Sequence, residues 1–423
     1  MKTRTHISIA AVVCGLFFTS PSGFAQGSLT PPGAPAPSMK SLSQVEPRTP
    51  ISSAPFTISA SGSYYLTTNI SVTSGSAITI TASQVTLDLN GFTLSSTETT
   101  PTGTGILLAS GNTDITILNG HIKGSVTYSG GVYSGPGFAN GIYYSVSPPF
   151  NVRVSGVSVS GCSTYGIYLS VGNATIVESC PVFDIGSYGI EANGVSKSSA
   201  SQCGSVAIAA NIASDCYGFS TGSLGVYAYF SANNCYGQTA SSSPGLSATT
   251  ANNCQGQNNG SGNGLNAVTA NNCQGQCTGS GTGLYAYQAA TGCYGICTGG
   301  GTGLSATTAF NCTGQSTGNG DGLDAGTANN CQGQAAGGGT GLSASQTAMG
   351  CYGVGFIGLQ ASYANNCSGL SKSGGGAGLS AINATGCYGE CYPGWGLYLQ
   401  NANFCFGTSI ALNAPGGNKY NMP

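Results

Sequence analysis

Charge is what this chain has least of. Of 423 residues only 9 are Lys or Arg and 11 are Asp or Glu, 5% in all, with 2 His and 1 Trp; ordinary soluble domains carry about 25% charged residues. Setting aside residues 1–25, which hold Lys2 and Arg4, leaves 7 basic against 11 acidic side chains. No basic footprint for nucleic acid and no polybasic membrane patch can be built from that. No apolar run reaches bilayer-spanning length either. The longest, Ile7–Phe18, follows Lys2 and Arg4 and precedes Ser20-Pro21-Ser22-Gly23-Phe24-Ala25. That is the pattern of a signal peptide cut after Ala25, and it predicts a secreted or cell-surface protein, extracellular or periplasmic, with no membrane insertion. Residues 26–50 carry Pro31, Pro32, Pro35, Pro37, Pro47 and Pro50 and read as an extended spacer.

What is abundant is glycine, 70 residues, and cysteine, 18 residues, and both are periodic. From Cys216 the cysteines fall at 235, 254, 273, 293, 312, 331 and 351, in steps of 19 or 20, then at 367, 387 and 405. In phase run Leu246, Leu265, Leu284, Leu304, Leu323, Leu342, Leu359, Leu379 and Leu397, each after a Gly, with Ala248, Ala267, Ala286 and their equivalents two residues on. A further small column holds Ala251, Ala270, Ala289, Ala309 and Ala328. Leu and Ala two apart share one face of a strand, and the Gly-rich remainder is too flexible and too polar for a helix. Each unit is therefore one turn of a β-solenoid, with Leu, Ala and Cys inward. Asn before Cys, as at Asn234, Asn253, Asn272, Asn311, Asn330 and Asn366, suits a left-handed corner.

Upstream the turns are longer and more aliphatic, as in Val85-Thr86-Leu87-Asp88-Leu89-Asn90-Gly91 and Val152-Arg153-Val154-Ser155-Gly156-Val157. The expectation is an all-β chain: one solenoid over residues 51–410, irregular to 200 and regular from 201, then a tail at 411–423. About 15 turns make a rod of roughly 70 Å at the strand spacing. The segment Glu46-Pro47-Arg48-Thr49-Pro50-Ile51, with Phe56-Thr57-Ile58, Gly62-Ser63-Tyr64-Tyr65-Leu66 and Ile78–Phe92, resembles the opening of secreted bacterial right-handed parallel β-helix proteins of the pectin-lyase-like superfamily. The resemblance covers residues 46–200. It implies a right-handed coil, which agrees with the usual hand of parallel crossovers.

Active members of that superfamily are polysaccharide lyases with a carboxylate-held calcium, or hydrolases with a carboxylate cluster. Asn112-Thr113-Asp114 resembles one short polygalacturonase motif, and His121, Arg153 and Asp184 complete a weak catalytic set. The family's paired Asp, Gly-His-Gly and Arg-x-Lys motifs are not present as such, and Asn-x-x-Ile is also a common solenoid corner. Glu178, Asp184 and Glu191 fall in successive turns and could hold one Ca2+; three scattered surface carboxylates are the favoured reading, and no cofactor is required. Beyond residue 199 the charged residues are Asp215, Asp321, Asp324, Lys372, Glu390 and Lys419, too sparse for acid–base chemistry. Single cysteines per turn suggest a buried stack rather than zinc ligands, and the C-x₃-C pairs bring in Cys277, Cys297 and Cys391.

The residue after each Cys, including Tyr236, Tyr294, Tyr352 and Tyr388, forms an outward column. Such a column can stack on sugar rings, and equally can be a ladder that steadies the rod. The sequence thus points to a non-catalytic exported rod acting through its surface, structural, adhesive or carbohydrate-contacting, with polysaccharide or cell-surface glycan as partner. The alternative is a polysaccharide lyase or glycoside hydrolase with its site on the N-terminal turns.

Overall fold

A computed structural model describes residues 45–408, 410–412 and 419–420. The expected signal peptide and nearly all of the Pro-rich spacer lie outside the described residues. The chain divides into two units, Met1–Pro47 and Arg48–Pro423. The second is an all-β parallel solenoid whose first strand, Thr49–Ile51, already takes in Pro50. Among the described residues no helix is long and apolar enough to cross a membrane.

One backbone-paired column defines the architecture: Phe56, Ile78, Ile106, Ile142, Ile167, Ile190, Ile208, Val226, Leu246, Leu265, Leu284, Leu304, Leu323, Leu342, Leu359, Leu379, Leu397 and Ile410. That is eighteen rungs in a solenoid of about 19 turns, more than the 15 that the Gly-Leu pairs suggest. Phe56, Ile78 and Ile208 follow Pro55, Ala77 and Ala207 rather than Gly, which hides their rungs in the sequence. At the strand spacing the column is about 80 Å long. From Ile78 to Leu397 every member is 0% exposed, and burying each such side chain contributes on the order of 2 kcal/mol.

The cysteine column faces the same core. Cys216 to Cys405 are at most 2% exposed, and all described cysteines are free thiols. From Cys254 to Cys351 each Sγ of the 19-residue column accepts an amide from the preceding Cys, as Cys293 N–H to Cys312 Sγ at 3.5 Å, and donates to the carbonyl two residues back. Cys277 and Cys297 stand in register and both donate to the Gly281 carbonyl, at 3.0 and 3.3 Å. The corner before each Cys is left-handed as expected, φ being 52° at Asn234 and 51° at Asn330; Gly292, Gly350 and Gly386 fill the same slot at 60–63°. Asn233, Asn252 and Asn271 add a side-chain ladder with 2.9 Å bonds.

One expected column needs correction. The buried mate of Ala270 and Ala309 is Ala290, not Ala289. The rung at Leu284 carries one extra residue as an outward bulge between Ala286 and Ala289, and so do the rungs at Val226 and Leu342. Those three rungs are 58 residues apart (284 − 226 and 342 − 284). The 19-residue turn is thus nested in a three-turn super-repeat, about 14 Å along the axis.

Candidate functional site

Two outward faces of the regular half carry ordered side chains. The first is the residue after Cys: Tyr217, Tyr236, Gln255, Gln274, Tyr294, Thr313, Gln332, Tyr352, Ser368, Tyr388 and Phe406 pair rung to rung as one continuous column. Tyr217 and Tyr236 stack at 5.4 Å, nearly parallel at 3°. Three of the hydroxyls are engaged: Tyr236 donates to Gln257 Oε1 at 2.5 Å, Tyr294 to Gln315 Oε1 at 2.7 Å, and Tyr388 to Glu390 Oε2 at 3.3 Å. Tyr236 and Tyr294 are half-buried, whereas Tyr352 and Tyr388 are 40% and 43% exposed. Tyr236 also lines a depression of about 580 Å³ with Tyr217, Lys197 and Asp215. The diagonal bonds from Tyr236 to Gln257 and from Tyr294 to Gln315 each tie one rung to the next.

The second face was not singled out in the sequence. On each strand the residues one and three after the core Leu point outward on either side of the small Ala. Stacked, they make an axial groove. Its first stretch, about 180 Å³, is lined by Tyr227, Tyr229, Ser247, Thr249, Asn266 and Val268. The second, about 390 Å³, runs from Tyr285 and Tyr287 past Ser305, Thr307 and Asp324 to Ser345 and Gln346. The third, about 350 Å³, runs from Ser343 and Gln360 to Tyr398 and Gln400. Tyr287 borders the first two stretches and Ser345 the last two, so the groove is continuous from the Val226 rung to the Leu397 rung. Its floor is alanine from Ala228 to Ala381, and Leu399 takes the same slot on the last rung. Tyrosines punctuate it in pairs: Tyr227 with Tyr229 at 4.5 Å and Tyr285 with Tyr287 at 4.7 Å, one super-repeat apart, then Tyr398 stacked on Trp395 at 5.3 Å. The signal was the Tyr-Ala-Tyr at 227–229 repeated at 285–287.

The weak catalytic set occupies several rungs of the N-terminal half. Asp114 is exposed at a left-handed corner (φ 58°), where it accepts bonds from Asn151 Nδ2 at 2.6 Å and the Thr113 hydroxyl at 3.0 Å. Its neighbour Asn112 is buried and clamps the Ile80 and Ala82 carbonyls at 2.9 Å. Arg153 lies one rung on, paired with Glu178 at 3.4 Å, which Lys197 also approaches at 3.7 Å. His121 is exposed seven residues beyond Asp114, past a further left-handed corner at Asn119 (φ 54°). Asp184 is 6% exposed, and its Oδ1 has no hydrogen-bond partner among the described residues. Among those residues no three His, Cys, Asp or Glu gather as a metal site.

Burial raises the Asp184 carboxyl above the ordinary carboxylate range. A raised folded-state pKa means that ionisation costs stability: the cost is absent below the unfolded-state pKa and grows as pH rises through the folded one. Asp184→Asn is therefore expected to raise stability at pH 7, and to leave it unchanged near pH 3. Thermal melts at the two pH values check this; equal shifts at both would remove the electrostatic account.

No family model and no curated protein matches the chain. Among solved structures the Dettilon tailspike protein is similar, at 13% identity and a TM-score of 0.28. The match covers 85% of this chain and 60% of that one, so this chain spans less than two thirds of the tailspike's length.

Proposed function

We propose that the protein is a non-catalytic exported rod that holds a neutral polysaccharide chain along its axial groove. The observation that supports this reading is the groove itself: ten rungs, from Val226 to Leu397, walled by hydroxyls, amides and tyrosine pairs, with Asp324 the one carboxylate in its lining. Tyrosine faces cover the apolar side of a sugar ring, while Ser, Asn and Gln bond its hydroxyls. Each contact is weak, and a polymer spanning several rungs sums them. A neutral polymer brings no charge to the groove, so binding should be nearly independent of salt.

The test is retention on a panel of neutral and acidic polysaccharides by affinity electrophoresis, with products assayed in parallel. Replacing Tyr227, Tyr285 and Tyr398 together by Ala is expected to weaken retention at least about tenfold, while the variant keeps its strand circular dichroism. Replacing Tyr294, Tyr352 and Tyr388 by Ala should change it little, because that column lies outside the groove. The reverse ranking would move the site to the post-Cys column. Cleavage of any polysaccharide would replace this reading by a lyase or hydrolase.

A further inference from the structure

The outward column that walls the groove continues toward the N-terminus into a different chemistry. Tyr143, Tyr168, Glu191, Ala209 and Tyr227 occupy successive rungs of it. Around Glu191 the rings close up. Tyr143 and Tyr165 stack at 5.4 Å and 7°, Tyr165 and Tyr168 lie 4.4 Å apart, and Tyr188 meets Tyr168 edge-on at 5.9 Å and 89°. Tyr168 stands beside Glu191 on the adjoining rung, in register with it. On the other side Ala209, 1% exposed, leaves a low step before Tyr227 and Tyr229.

Glu191 is half-buried, and burial holds its carboxyl above the ordinary range. Among the described residues no Lys or Arg pairs with it; the ion pairs go to Asp88 and Glu178. A half-buried carboxylate beside a cluster of tyrosines, with no ion pair among the described residues, is a costly arrangement. A bound organic cation relieves it twice, by charge pairing and by the quadrupoles of the rings. A metal ion is disfavoured, since phenols and one carboxylate supply too few hard oxygen ligands.

We propose that Glu191 and the tyrosines around it form a binding site for an organic ammonium group, a methylated or primary amine. The group arrives either on a free small molecule or as an amino substituent on a polymer lying in the groove. The first source is independent of the polysaccharide reading; the second rests on it.

Titration calorimetry with choline and with its neutral isostere 3,3-dimethylbutan-1-ol separates charge from shape. Choline is expected to bind at least about tenfold more tightly, and Glu191→Gln, like Tyr188→Ala, should erase the difference while circular dichroism stays unchanged. Choline affinity should also fall as pH is lowered through the raised Glu191 pKa. The titratable groups facing it, Tyr144, Tyr165, Tyr168 and Tyr229, are all shifted upward, chiefly by burial, and stay neutral there. A second arm compares fully deacetylated with fully acetylated glucosamine hexamers: a preference for the amine form, lost in Glu191→Gln, identifies the polymer source. Tyr285→Ala should weaken the hexamers and leave choline untouched, which keeps failure of the groove distinct from failure of this site. Equal binding of choline and its isostere, or full choline binding by Glu191→Gln, would overturn the proposal.

Discussion

Arginine in place of Cys312 is expected to abolish cooperative folding of the turns on either side. Cys312 is 1% exposed, its sulfur lying 3.3 Å from the Ala290 and Phe310 carbonyls and 3.5 Å from the Cys293 amide nitrogen. No carboxylate stands in that column, so a guanidinium there would be an unpaired buried charge, costing at least several kcal/mol. Turns of a solenoid stabilise only their neighbours, so the damage should begin locally. Limited proteolysis should cut first between about residues 290 and 335. Cys312→Ala leaves only a small void and should cost on the order of 1 kcal/mol. Native Cys312 should also resist a bulky thiol reagent. Rapid labelling of the folded protein, or normal folding of the Arg variant, would place this side chain outside the core.

Valine in place of Gly295 should be nearly as damaging, for a reason invisible in composition. A Cβ on Gly295 would lie 2.2 Å from the Gly303 carbonyl oxygen and 2.9 Å from Leu304 Cβ. The same slot one turn away, Gly314, would meet the Gly322 oxygen at 2.1 Å, so there is nowhere to yield. Overpacking of this severity costs about 3 kcal/mol or more. Gly300 supplies the control, because an added Cβ there meets nothing within 4 Å. Gly300→Ala should be neutral or gain up to roughly 1 kcal/mol through the unfolded chain. Urea melts of the two variants distinguish close approach from mere flexibility. Equal effects would mean that these glycines are not packing residues.

Most of the fold was legible because every turn repeats the same few demands. A 0%-exposed Leu, a buried Cys and a left-handed Asn recur at fixed offsets, and a strand's alternation leaves little choice about which way each faces. The count of turns was not legible, since Ala207 replaces the Gly that marks other rungs and still fits. The alanine column slipped at Ala289 because one extra residue can leave a strand outward as a bulge without disturbing the core. The groove was missed for a related reason. Tyr227 and Tyr229 are ordinary strand residues until stacking sets them beside Ser247 and Thr249, and only the 58-residue echo at Tyr285 and Tyr287 betrays them. Around Asp114 the difficulty was of another kind. Nearness in sequence says nothing about which side of a rung a residue occupies, and Asp184 looked like a surface carboxylate because sequence does not report what covers it.

The step from one rung to the next is nearly the same from Leu246 to Leu342, whichever turn is inspected. A gene encoding such a chain can therefore gain or lose copies by unequal crossing-over without inventing a new junction. Duplicating residues 304–322 would insert one turn between rungs that already accept that sequence. Loss of residues 284–341 would remove one full super-repeat, joining Gly283 to Leu342. Length becomes an inherited variable, tuned by recombination rather than by point substitution, and natural variants of this locus should differ by whole turns.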